Sequence, residues 1–194
     1  MRSGPPRRGV AARKERQSRS VGLYVLIGLG AIIVIAIVLA FVLREGDPDL
    51  GSRFPEIPGL HQPPYAYNTN PPTSGNHVAT PGRYGFWGAP LLPEQVVHNM
   101  EHGAVVIWYA PDDPALAGSV NGLVRELGSG CLVAGSYASM GFPVVITVWG
   151  RLLELPAYDE AQIREFVEAY RGNGGPEAGL CWNEPLVPVG VHNQ

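Results

Sequence analysis

Residues 93–110 read Pro-Glu-Gln-Val-Val-His-Asn-Met-Glu-His-Gly-Ala-Val-Val-Ile-Trp-Tyr-Ala, and the pattern changes character once, at Gly103. Before that glycine, Pro93 suits the first position of a helix and Glu94 complements the positive end of its dipole. At about 100° per residue, Val96, Val97 and Met100 fall on one face and His98, Glu101 and His102 on the other. The two histidines therefore stand side by side, away from the core, with Glu101 next to His98. Met100 is core filling rather than a ligand. Gly103 can close the helix in the left-handed conformation. Ala104–Ala110 is then a β-rich run without polar alternation, the mark of a buried strand.

Working outward to the C-terminus, Asp113-Pro114 is a helix entry, with Asp113 as N-cap. Leu116, Val120, Leu123, Val124 and Leu127 follow at helical spacing up to Gly128. Cys131–Tyr137 and Pro143–Gly150 read as strands, and Arg151–Leu155 extends the second or forms a short fourth. Asp159 and Gln162 make a capping-box-like start to a last helix, with Ile163, Phe166, Val167 and Tyr170 as its apolar stripe and Gly172 as its stop. The order predicts an α+β domain over residues 65–194, a small sheet with helices packed on one face.

Working back, residues 65–77 form a loop stiffened by Pro71 and Pro72, able to hold His77 in place, though on the chemistry of the residues alone an incidental histidine in a surface loop is the simpler reading. Residues 81–93 form a second loop whose Tyr84, Phe86 and Trp87 cover the core or line a groove. Residues 44–64 contain Pro48, Pro55, Pro58, Pro63 and Pro64 with few apolar side chains, an extracytoplasmic stalk. Val21–Leu43 holds 23 residues without a charge. At about 1.5 Å per residue such a helix spans the roughly 30 Å hydrocarbon core. Residues 1–20 carry a local charge of +6, whereas the whole chain is −3. The positive-inside rule thus predicts a single-pass protein of the cell membrane, with a basic cytoplasmic tail on anionic lipid and residues 44–194 outside. An uncleaved signal-anchor fits the length of the apolar run better than a signal peptide cut after Val38-Leu39-Ala40. A basic tail on an acidic body argues against nucleic acid as the partner of the folded part.

Cys131 and Cys181 both fall in the external part, where two cysteines without a Cys-x-x-Cys spacing are most simply a disulfide. The chemistry concentrates around residue 100. Two histidines four apart on one helix face can share an ion, and imidazole suits zinc or copper. Two ligands are not a site; His77 is the natural third, and Glu101 either ligates or orients His98. The string His-x-x-Glu-His is also the inverted zincin motif, in which the glutamate would activate water. The stop at Gly103, with a strand directly after it, fits that motif poorly. Ser74 and Ser136 lack the flanks of a nucleophile elbow.

Tyr67-Asn68-Thr69-Asn70-Pro71-Pro72-Thr73-Ser74-Gly75 with His77, then Val97-His98 and Glu101-His102-Gly103 before a Val/Ile/Tyr strand, resembles an uncharacterised bacterial family, domain of unknown function 3105. Thr147-Val148-Trp149-Gly150 and the Phe166–Tyr170 helix extend the likeness, which covers roughly residues 60–175. Position 76, often proline in such motifs, is Asn76, which loosens the expected hold on His77. The resemblance implies no reaction. It implies that His77, His98, Glu101 and His102 form one recurring set, in single-pass or exported proteins. The expected function is a membrane-anchored external domain with a His-rich transition-metal site. The alternatives are a zinc-dependent hydrolase and a metal-free scaffold for a protein partner in the cell envelope.

Overall fold

A strand with no polar alternation needs an apolar cover on both faces, and Val105–Tyr109, which is buried throughout, has one. A computed structural model describes residues 29–35 and 49–183. Two units are separable, Met1–Pro48 and Asp49–Gln194. Of the first, residues 29–35 are helical, with Leu29, Ile32, Ile33, Val34 and Ile35 exposed. The expected basic tail, the rest of the expected span and the Val38–Ala40 cleavage alternative lie outside the described residues. No helix among the described residues is long and apolar enough to cross a membrane.

The second unit is built on a six-stranded sheet of order β1-β6-β5-β3-β4-β2. The strands are β1 (Ser52–Arg53), β2 (Gly85–Pro90), β3 (Val105–Tyr109), β4 (Leu132–Ser136), β5 (Val144–Val148) and β6 (Arg151–Leu155). β3 and β4 run parallel in the register Val106↔Val133, joined through α2 (Pro114–Leu127), and β2 adds in parallel beyond β4. β5 pairs antiparallel with β3 and with β6, and β1 closes the far edge. The predicted strands are present. Two elements differ from expectation: residues 85–90 of the supposed loop form β2, and β1 comes from the Pro-rich segment.

Side chains alternate across the sheet. Val105, Ile107, Leu132, Ala134, Val144 and Ile146 face α2 and α3 (Glu160–Tyr170), meeting Leu116, Val120, Leu123, Ile163 and Phe166. Val106, Trp108, Val133 and Val145 face the other way, towards Val96, Val97 and Met100 of α1 (Pro93–Glu101) and towards Tyr84 and Leu91. The expectation that all helices pack on one face is therefore corrected. α1 and the Pro-rich loops cover the second face, because those strands bury both sides. Both later helices begin as read: Asp113 accepts from the amides of Ala115 and Leu116, and Asp159 accepts from Gln162 N–H and Gln162 Nε2.

Met100 is fully buried and accepts a hydrogen bond from Thr147 Oγ1 at 3.2 Å, while Trp108 Nε1 donates to the same hydroxyl at 2.7 Å. This fixes α1 on the sheet with its histidine face outward. Cys131 and Cys181 are joined in a disulfide. It ties the segment after α3, ending in a short 3-10 turn at Leu180–Trp182, back to the start of β4.

Candidate metal centre

α1 ends as its sequence requires. The His102 amide donates to the His98 carbonyl, and Gly103 takes φ +97° and donates to Met100 O at 3.0 Å. The imidazoles of His98 and His102 then lie with ring centroids 4.6 Å apart and their Nε2 atoms 3.2 Å apart. This is the i, i+4 neighbourhood read from the wheel.

The loop over them is held from several sides. Asn99 exchanges two hydrogen bonds with the backbone of Gly82, at 2.7 and 2.8 Å, and Val78 N–H donates to Glu94 O. Ser74 is buried and accepts from Ile57 N–H, while Gly150 N–H donates to Thr73 O. Asn76, expected to loosen this loop, does the reverse. Its Oδ1 accepts from Leu60 N–H and its Nδ2 donates to Pro64 O, both at 3.1 Å. The side chain ties the segment carrying His61 to the one carrying His77, and His77 N–H donates to Leu60 O across the same join.

His77 comes down onto α1 as predicted. It is fully buried, with its ring centroid 4.8 Å from that of His98. Its Nε2 lies 2.9 Å from Glu101 Oε2. A fourth histidine, His61, joins them: its ring lies 4.8 Å from His77 and 4.9 Å from His98, and its Nε2 is 3.7 Å from Glu101 Oε2. His61, His77, His98 and Glu101 each place one ligand atom within 4.8 Å of the others. His102 stands at the side of this quartet, 3.2 Å from both His98 Nε2 and Glu177 Oε2. Glu101, His102 and Glu177 form a second such group.

Hydrogen bonding decides which nitrogen of each ring faces inward. His77 Nδ1 is 2.9 Å from Gly75 O, and His98 Nδ1 is 2.8 Å from Val78 O. A carbonyl only accepts, so both Nδ1 atoms carry a proton, which leaves Nε2 of each ring as the nitrogen able to take a ligand bond. His98 is held neutral: burial lowers its pKa from 6.5, against the Val78 carbonyl, and the neighbouring imidazoles of His102, His77 and His61 lower it further. His77 Nε2 is buried without a hydrogen-bond partner, although Glu101 Oε2 lies 2.9 Å away. A lone pair set against a carboxylate oxygen at that distance is unfavourable unless a proton or a metal cation lies between them.

The donor set could therefore hold a metal ion. With nitrogen and oxygen about 2.0–2.2 Å from zinc, neighbouring tetrahedral ligand atoms lie roughly 3.3 Å apart. The His77–Glu101 contact of 2.9 Å is close to that edge, and His61 at 3.7 Å is on an exposed side chain free to close in. The carbonyls that hold Nδ1 are the outer partners that orient metal-binding imidazoles. No thiolate is offered, since both cysteines are bonded, and Met100 is committed to the core. The set suits zinc or copper(II) better than copper(I).

The aromatic loop does not form one exposed patch: Tyr84 is buried, and Phe86 stacks on Tyr109 with centroids 5.8 Å apart. Compared with known proteins, residues 61–183 match a family model described as "Protein of unknown function (DUF3105)". That span includes all four clustered histidines, Glu101 and Glu177. No curated protein and no solved structure matches the chain.

Proposed function

Since the chain belongs to the DUF3105 family, whose description names no reaction, we propose a function from the site itself. The protein is a metal-binding module, held at the outer face of the cell membrane by residues 21–43, that takes one zinc or copper(II) ion through His61, His77, His98 and Glu101. The observation behind this is the inward-facing Nε2 of His77, buried and without a hydrogen-bond partner beside Glu101. The disulfide and the exposed apolar side chains of residues 29–35 support the external, anchored placement. When bound, such an ion supplies a Lewis-acidic centre. His77 and His98 would hold it from rigid backbone, and His61, about half exposed, lies on the side open to solvent.

The hydrolase alternative needs Glu101 as a free base acting on water. Here its Oε2 stands 2.9 Å from His77 Nε2, in the position of a ligand, which favours binding over catalysis. The test is equilibrium dialysis of the full chain in detergent against zinc and copper(II), comparing wild type with His77→Ala and His98→Ala. The wild type should bind and each variant should lose at least about a hundredfold in affinity, the upper range for disturbing a metal's surroundings. A wild type that takes up neither ion would refute the proposal and leave the envelope scaffold as the reading.

A further inference from the structure

We propose that the centre has a second cation position, formed by Glu101, His102 and Glu177, so that Glu101 is shared by two ions. The proposal rests on the first-ion reading above and adds a site beside it. Three observations support it.

The first is the shared carboxylate. Glu101 belongs to both groups of converging ligand atoms. Its Oε2 faces His77 and His61, and a carboxylate of this kind can serve two ions roughly 3.5–4 Å apart. The second is the crowding at His102. Its Nε2 lies 3.2 Å from His98 Nε2, which presents a lone pair, and 3.2 Å from Glu177 Oε2, an acceptor. Cations on either side of His102 would engage all three atoms at once.

The third is the effort spent on placing Glu177. The chain after α3 returns as a strap over the end of α1: Gly172 N–H donates to Gly103 O, Glu177 N–H to Glu101 O and Cys181 N–H to His102 O, at 2.8, 2.9 and 3.3 Å. Gly175 takes φ +88°, and a Cβ there would lie 2.4 Å from the carbonyl oxygens of both Met100 and Glu101, so only glycine lets the strap lie this close. The Cys131–Cys181 disulfide then locks the far end. The strap brings one half-exposed carboxylate to His102. An exposed ion pair alone is worth only about 0–1 kcal/mol. Two carboxylates and one imidazole make a harder donor set than the first site, and one that zinc still accepts through nitrogen and oxygen.

The test is zinc stoichiometry of the full chain in detergent, by native mass spectrometry after stripping and reloading, for wild type and Glu177→Gln. The glutamine keeps the size and polarity of a half-exposed side chain, and circular dichroism checks that the fold is retained. Two zinc ions on the wild type and one on Glu177→Gln are expected. One ion on both, or two on both, overturns the second position and leaves the first intact. No zinc on the wild type overturns both.

Discussion

Gly59 has a steric role that can be put in numbers. A Cβ at this position would sit 2.5 Å from His77 Cε1, 2.9 Å from His77 Nδ1 and 3.3 Å from Glu101 Oε1. Ordinary carbon contacts begin at about 3.5 Å, so Gly59→Ala demands roughly 1 Å of movement. His77 cannot supply it, being fully buried with its Nδ1 bonded to Gly75 O. The strand of chain through Gly59 must lift instead, and it carries His61 with it two residues on. Metal sites tolerate only about 0.2 Å of error in ligand distance. Zinc affinity should therefore fall by about 10–100-fold, as when the surroundings of a ligand are disturbed. Gly59 is not at a positive φ, so alanine adds no φ strain of its own, but the lift loosens the bonds of Leu60 to Asn76 and His77, and the metal-free fold should lose about 1–3 kcal/mol. Competition with a chromophoric chelator measures the first quantity and urea unfolding of the stripped protein the second. Zinc affinity within twofold of wild type would refute the argument that this glycine makes room for the site.

Cys181→Ser opens a loop of 50 residues and should lower unfolding free energy by about 4 kcal/mol in the chain-entropy model, read from urea melts of the oxidised proteins. Thr147→Val leaves the buried Trp108 N–H without its acceptor, an expected cost of about 1–3 kcal/mol, checked in the same melts. The metal-free protein should also lose stability with acid. His98 is neutral in both states above pH 6.5; below it the unfolded chain takes up the proton first, so stability falls from there down to the lower folded pKa and then levels. His98→Gln should flatten that part of the pH profile, and an unchanged slope would assign it to other groups.

What could be read from the chain follows the range of the interactions concerned. The α1 face, the Gly103 stop and the core position of Met100 depend on neighbours within one or two helical turns, and all three are found as read. The strap contact of Glu177 with His102 spans the whole second half of the domain, and nothing around Glu177, in a Gly- and Pro-rich tail, marks it as a ligand. His61 was hidden by its setting, because prolines on both sides read as a stalk. A usable sign was there in the histidine count: four of the chain's five histidines fall between residues 61 and 102. The second face of the sheet was also legible. Val-Val-Ile-Trp-Tyr and Val-Val-Ile-Thr-Val, with hardly a polar residue between them, already require cover on both sides.

In the proposed two-ion centre the strap sets the two cation positions apart. The ligands of the first all lie between residues 61 and 101, on segments tied to one another by Asn76, Asn99 and the His77 amide. A chain emerging N-terminus first has made every one of them before it has made α3. The second position needs Glu177, on a segment held by its backbone hydrogen bonds to the end of α1 and by the Cys131–Cys181 disulfide. Reduction would free the far end of the strap, so on this reading it would weaken the second position and spare the first.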